Sequence, residues 1–303
     1  MWAIALCAWS PYYRHKLKLV ALPSINAALE YATGPIQFIL HTDEPGDFSD
    51  VNFAGDVNIR KFEPILGANI NSNESYESYG NADRMAIEIA SEDANIAFLP
   101  ADVMVSREFF AASEKQFAQG KRAIVGSAAR TMVAPEDCPA GLSARQLLDF
   151  SFLREHRHPV TKGCWYGKGK NKVAWMTYWE GPHGIVGRAF HLHPFAVKND
   201  RVLFFKGSTI DIDLLNRFSQ DEIHVVTDPN EMSFAEISGL EKMLPLIAPQ
   251  LPEPVSIGSI VAWARAYTIP MQRFLFTHRI VVQGTGDDHL DEMPANEILR
   301  ILG

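Results

Sequence analysis

Short runs of apolar residues recur through the first 130 residues of the chain, and segments with a different apolar spacing separate them. Continuous apolar runs are typical of parallel strands that are buried on both faces of a sheet. The sequence therefore predicts strands at residues 2–9, 36–40, 57–62, 96–99 and 123–126.

Between these strands, apolar side chains recur at the spacing of one helix face. This spacing predicts helices at residues 16–31, 82–90 and 106–117, with loops at 10–13 and 68–79. Strands that alternate with helices predict an α/β fold, in which a doubly wound, mostly parallel sheet is flanked by helices. Such sheets bind ligands beyond the carboxyl ends of their strands.

The second half of the chain has a less regular pattern. A short helix is predicted at residues 147–154, and strands are predicted at 175–179 and 223–228. Helical spacing dominates residues 234–246 and 257–276, which predicts a C-terminal helical extension.

Composition narrows the class of protein. The chain has 303 residues and a formal net charge of -8. This charge argues against a nucleic-acid-binding protein, which needs a basic face to neutralise phosphates. The three cysteines are widely spaced and predict neither a disulfide framework nor a zinc site, so a reduced, cytoplasmic setting is the simplest expectation. No apolar segment reaches the ~20 residues that span a membrane.

Two acids directly follow predicted strands. Asp43 comes after the second strand, and Asp102 comes after the apolar run at 96–99. A carboxylate at a strand end is suited to bind a sugar hydroxyl or a divalent cation that bridges two phosphates. The alternative for Asp102 is a turn residue, because aspartate is common after a strand.

Two histidines are candidate metal ligands. His191 and His193 lie two positions apart, on the same face if the segment is extended. Imidazole binds Mn²⁺ or Zn²⁺ and can supplement a carboxylate such as that of Asp102. Alternatively, one histidine is an ordinary polar residue in a strand that Pro194 ends.

Three acids of the second half are candidate general bases for an acceptor hydroxyl. Asp211 and Asp213 lie two positions apart, and Glu236 belongs to an acidic group after a predicted strand. Alternatively, Asp213 caps a helix that begins near Leu214, and Asp211 pairs with a nearby cation. The acidic group that contains Glu236 also suits a solvated helix start.

Several phosphate and nucleophile motifs are absent. There is no G-x-G-x-x-G after the first strand, no G-x-x-x-x-G-K-[ST] and no G-x-S-x-G. These absences disfavour dinucleotide oxidoreductases, P-loop proteins and α/β-hydrolases. Basic side chains that are candidates for binding a diphosphate are those of Arg84, Arg130, Arg188 and the lysines of residues 168–172.

The order of these elements resembles a GT-A type glycosyltransferase, nucleotide-sugar dependent and family-two-like. The resemblance is carried by the opening strand and loop, by the second strand with its terminal acid, and by two later segments: residues 5–13, 42–43, 81–84 and 98–102. It covers residues 1–235 and implies a nucleotide-binding half at 1–130 and an acceptor half at 131–235. Residues 236–303 are then the C-terminal helical extension.

The resemblance implies roles for particular residues. The implied donor-binding residues are Ala8, Trp9, Thr42, Asp43, Arg84 and Asp102. Asp102 and a histidine of the His191–His193 pair would hold Mn²⁺ or Mg²⁺. The chain departs from the family's D-x-D motif because Pro100 stands in place of the first acid, which removes a contact to the ribose.

The sequence thus predicts a metal-assisted glycosyltransferase that moves a sugar from a nucleoside-diphosphate donor to a hydroxyl of a glycan, a lipid or another acceptor. Asp211, Asp213 or Glu236 would be its base. The open alternatives are a nucleotidyltransferase, a metal-dependent hydrolase that uses the His and Asp pairs, and a GT-A-like protein that binds without turnover. The C-terminal helices are predicted to contact the core, a partner subunit or a membrane surface.

Overall fold

A computed structural model describes residues 1–64, 73–153, 176–199, 210–237, 257–285 and 292–302. The strands are β1 (Trp2–Ala8), β2 (Ile36–Thr42), β3 (Asp56–Lys61), β4 (Asn95–Pro100), β5 (Val103–Val105), β6 (Ala123–Gly126), β7 (Ala128–Thr131), β8 (Met176–Gly181), β9 (Gly184–Ala189), β10 (His193–Lys198), β11 (Ile223–Val225), β12 (Phe234–Ile237) and β13 (Ile280–Gly284). The helices are α1 (Ser10–Lys16), α2 (Leu22–Leu29), α3 (Asn73–Ile89), α4 (Phe109–Ala118), α5 (Ala144–Ser151), α6 (Asp211–Leu215), α7 (Ile257–Tyr267), α8 (Pro270–Phe276) and α9 (Glu292–Leu302).

Seven strands form a central sheet in the order β11-β6-β10-β4-β1-β2-β3. Neighbouring strands are parallel except at β10, which runs antiparallel to both β4 and β6. The predicted doubly wound, mostly parallel sheet flanked by helices is therefore confirmed.

Helices cover both faces of this sheet, which is why β1 is buried at every position. On one face, the Trp2 ring packs against the α4 rings of Phe110 and Phe117, and α2 contributes to the same core. On the other face, Ala3 and Ala5 belong to a core that includes Ala86 of α3. Two-sided burial explains why the strand sequence is a continuous apolar run.

Two small sheets adjoin the central one, with the orders β5-β12-β7 and β13-β9-β8. β12 spans the position predicted as the boundary between residues 235 and 236. β13 belongs to the predicted C-terminal extension and pairs antiparallel with β9 of the preceding half.

Two predicted loops are helical instead, over the residues that the structure describes. Residues 10–13 form the start of α1, because Pro11 stands in the first turn, where its missing N–H costs no helical hydrogen bond. A π-helical turn at Leu17–Ala21 joins α1 to α2, so the predicted helix at 16–31 is three consecutive pieces. α3 begins at Asn73, well before the predicted start at residue 82.

Three predictions for the second half are also wrong. Residues 234–237 are a strand, because β12 fills the position between β5 and β7. The predicted helix at 257–276 is interrupted before Pro270. Helix α6 begins at Asp211, so Asp213 lies inside it and does not cap a helix that begins near Leu214.

Some predictions fall outside the described residues, namely residues 68–72 of a predicted loop, Arg154, the lysines of residues 168–172, Trp175 and residues 238–246. Within the described ranges, no helix has the length and apolar character needed to cross a bilayer.

Candidate functional site

The strands β1, β2 and β4 are parallel neighbours, so their carboxyl ends lie at one edge of the central sheet. α1 and α2 connect β1 to β2 over one face of the sheet, and α3 connects β3 to β4 over the other. The segments that follow β1 and β4 both begin at this carboxyl edge of the sheet, and α/β sheets bind ligands beyond that edge. We call this region the carboxyl-edge site: residues 9–16, 43–47, 101–102 and 236–237.

Asp43 organises the start of α1. Its Oδ2 accepts the backbone N–H of Ser10 at 3.1 Å, and its Oδ1 accepts from Arg14 Nη1 at 2.6 Å. Arg14 Nε also donates to Asp47 Oδ2 at 2.6 Å. Among the described residues other than glycine, only Ser10 has a positive φ, of 67°. A strained residue of this kind persists only where its surroundings hold it in place, and here Asp43 binds its backbone N–H.

A buried lysine contacts the acid at the end of β4. Lys16 is 1% exposed, and its Nζ lies 3.3 Å from Asp102 Oδ2. The same ammonium donates to the carbonyl of Ile237 and lies 4.6 Å from the centroid of the Tyr12 ring. Asp102 thus forms an ion pair with a lysine that is buried inside the protein.

β12 brings a second acid to the same place. Glu236 pairs with Val103 in the β5–β12 ladder, and the backbone N–H of Ile237 donates to the Asp102 carbonyl at 2.8 Å. Arg130 of β7 faces Glu236, with its Nε 3.3 Å from Oε2. Three carboxylates of the site, from Asp43, Asp102 and Glu236, each have a basic partner.

Two tyrosines line the space between these groups. Tyr79 of α3 and Tyr13 share a side-chain hydrogen bond. Burial raises the pKa of Tyr13, and the negative charges of Asp102 and Glu236 raise it further. Burial likewise raises the pKa of Tyr79. Both phenols are therefore neutral hydrogen-bonding groups.

The other predicted donor-binding residues lie in or beside the core. Ala8 is 1% exposed, and the Trp9 ring is enclosed by Tyr79 at 4.1 Å and by Phe62 at 6.2 Å between centroids. Thr42 is fully buried, and its Oγ1 accepts from the backbone of Glu44. Arg84 is half-buried on α3 and donates to Asn81.

His193 lies close to the end of β4, whereas His191, its predicted partner as a metal ligand, lies outside β10. His193 begins β10, and its Nε2 lies 3.2 Å from the Phe98 carbonyl. His191 is half-buried in the connection before β10. Asp213 is exposed on α6, whose Leu214 and Leu215 pack into the core under the α3 face. Of the predicted acids, Asp102 and Glu236 both act on Tyr13, whereas Asp43 contacts Arg14 of the same helix.

The described residues do not fit the predicted metal centre. Lys16 already contacts the Asp102 carboxylate, and the His193 Nε2 faces a carbonyl oxygen. In the part of the chain that the structure describes, no group of three His, Cys, Asp or Glu side chains is placed to hold a metal ion. No step is therefore assigned to a divalent cation.

Sequence reasoning missed Arg14, Lys16 and Tyr79. Arg14 lies between the predicted loop at 10–13 and the predicted helix at 16–31, which Lys16 begins, and Lys16 is 86 residues from Asp102. Only the helical register of α1 places both cations on their acids. A signal was present in Pro11, which suits the first turn of a helix.

Comparisons with known proteins give a likeness in fold alone. No family model matches the chain, and no curated protein matches its sequence. A crystal structure of residues 1–349 of S. aureus TarS is similar over 99% of this chain and 70% of that chain, with 9% identity and a TM-score of 0.39. A second crystal structure of S. aureus TarS matches 99% of this chain and 42% of its own length, with 10% identity and a TM-score of 0.41. Similarity at this level assigns no activity.

Proposed function

We propose that this chain is a glycosyltransferase that moves a sugar from a nucleoside-diphosphate donor to a hydroxyl group of an acceptor. The observation that carries the proposal is the position of Glu236. The β5–β12 ladder pairs it with Val103, the residue after Asp102, and both acids act on the buried phenol of Tyr13. One acid is therefore available to contact the donor and another to accept a proton.

In this proposal, the donor occupies the carboxyl-edge site with its diphosphate near Arg130. The Asp102 carboxylate accepts hydrogen bonds from a sugar hydroxyl of the donor. Glu236 takes the proton of the acceptor hydroxyl while that oxygen bonds to the anomeric carbon. The bond from this carbon to the diphosphate breaks, and the nucleoside diphosphate leaves with the bonding electrons.

The first test is a thermal-shift panel of uridine, guanosine, cytidine, adenosine and thymidine diphosphates, followed by sugar derivatives of any that bind. A bound nucleotide raises the melting temperature by mass action. The shift should shrink in Asp102→Asn, which keeps an oxygen for Lys16 but removes the charge. It should persist in Asp50→Asn, an exposed residue away from the site.

Release of nucleoside diphosphate from the matching sugar donor then tests turnover. Release that depends on an added acceptor supports transfer. Binding without release in any acceptor mixture would favour a GT-A-like protein that only binds. If no nucleotide shifts the melting temperature, the proposal fails.

A further inference from the structure

We propose that the ammonium group of Lys16 occupies the position beside Asp102 that a divalent cation would need. The carboxyl-edge site then binds a nucleoside diphosphate without a metal ion. The identity of the ligand rests on the proposed function. The role of Lys16 toward Asp102 does not, so the two are tested separately below.

Lys16 is fixed in place from several directions. Its Nζ contacts the Asp102 carboxylate at 3.3 Å and the Ile237 carbonyl, and it lies 4.6 Å and 5.8 Å from the ring centroids of Tyr12 and Tyr13. The side chain is 1% exposed. Moving it away from Asp102 would leave a buried charge without its partner, which is strongly unfavourable.

A divalent ion at Asp102 would meet this fixed charge. Such an ion binds a carboxylate oxygen at about 2 Å. Because Lys16 Nζ is 3.3 Å from Oδ2, the two cations would be close neighbours in a largely buried setting, where repulsion between like charges is strong. The Asp102 side chain is only 16% exposed, so solvent screens this repulsion weakly.

Arg130 joins the site through Glu236, and among the described arginines and lysines there its side chain is the most exposed. Its side chain is 43% exposed, compared with 11% for Arg14, and its 3.3 Å contact with Glu236 is longer than the 2.6 Å contacts of Arg14. A guanidinium can bind two phosphate oxygens at once. Arg130 therefore supplies the positive charge that neutralises the diphosphate, which is the role of the metal ion in a metal-assisted transferase.

The experiment combines nucleotide calorimetry with manganese binding followed by electron paramagnetic resonance. For the nucleotide that binds wild type, we expect the Kd in EDTA and in Mn²⁺ to agree within about twofold. Tightening of about tenfold or more by Mn²⁺ would overturn the proposal. Arg130→Gln should weaken binding about tenfold or more, whereas Arg107→Gln, from another exposed Arg–Glu pair, should not.

Manganese alone tests Lys16 even if no nucleotide binds. Wild type should leave added Mn²⁺ free in solution, whereas Lys16→Glu, which puts a second carboxylate near Asp102 and the Ile237 carbonyl, should bind it. Binding by wild type that Asp102→Asn abolishes would contradict the proposal, as would no binding by a folded Lys16→Glu. Should Lys16→Glu fail to fold, the wild-type manganese and EDTA results decide the matter. Failure of nucleotide binding alone would count against the proposed function, not against the role of Lys16.

Discussion

Asp43 holds Arg14 at 2.6 Å, and its other carboxylate oxygen holds the backbone N–H of Ser10. The acid that the sequence predicted for donor binding thus also secures the first turn of α1 against the end of β2. Because α1 carries Lys16, this contact fixes the position of the cation that reaches Asp102.

Asp43→Asn should therefore destabilise the fold. The amide keeps a hydrogen-bond acceptor but loses the charge that matches Arg14. We expect the free energy of unfolding to fall by about 1–2 kcal/mol, a figure reduced for the partial exposure of Asp43. Urea denaturation measures the change. A loss no greater than that of Asp50→Asn, which removes an exposed aspartate, would contradict the role of Asp43.

His41 makes stability depend on pH. It is fully buried, and neither ring nitrogen has a hydrogen-bond partner among the described residues. Burial lowers its pKa to about 4, with a smaller effect of the Arg60 charge. As pH falls below about 6.5, His41 becomes protonated in the unfolded state. In the native state it stays neutral until about pH 4.

The free energy of unfolding should thus decrease with falling pH across this window, by at most ~1.4 kcal/mol per pH unit from this group. His41→Leu should flatten the slope, as measured by urea denaturation between pH 7 and pH 4.5. His183→Gln, which removes an exposed imidazole, should keep it. The same slope in His41→Leu as in wild type would show that other groups cause it.

Gly126 is required by a stacked aromatic pair. A Cβ at this position would lie 2.6 Å from Cε2 of Phe234, whose ring stacks on Phe195 with centroids 3.6 Å apart. We expect Gly126→Ala to lower the free energy of unfolding by about 1–3 kcal/mol, because the ring has no space to move in the core. Gly46→Ala, whose Cβ would make an ordinary contact at 3.7 Å, should have little effect. Equal stabilities of the two variants would refute this account.

Glu236→Gln should separate binding from chemistry. If Glu236 is the base, sugar transfer should fall by about 100-fold or more, because the amide cannot accept the acceptor's proton. The donor Kd should change little, since the amide oxygen still faces Arg130. Glu88→Gln, an exposed residue of α3, serves as the control. Full activity of Glu236→Gln, together with loss of activity in Asp211→Asn or Asp213→Asn, would show that the base lies on α6 instead.

The central strands were predictable because burial on both faces leaves a continuous apolar run, as in β1 and β4. The helix over residues 10–13 was not, because a Ser-Pro pair followed by tyrosines also suits a loop. β12 was not predictable either, because its four residues Phe-Ala-Glu-Ile suit a helix or a strand. Pairing with β5 and β7 makes this segment a strand.

The acids of the site could be predicted from the sequence, whereas the basic residues that pair with them could not. Asp43 and Asp102 come within two residues of a strand end, so their place at the carboxyl edge follows from the sheet alone. Lys16 reaches Asp102 across 86 residues of sequence, and Arg130 reaches Glu236 across 106. No local pattern encodes contacts over such separations, because they arise when whole elements pack together.

The position of β10 also dictates the order in which the sheet can be assembled. β6 is complete at residue 126, yet its neighbours in the described sheet are β10 and β11, which both come later in the chain. During synthesis, β1 to β4 can pair among themselves, whereas β6 has no place in the sheet until residue 198 has emerged. Until then the open edge of β4 can pair with other chains. A single antiparallel strand thus makes the growing chain depend on a residue nearly two thirds of the way along it.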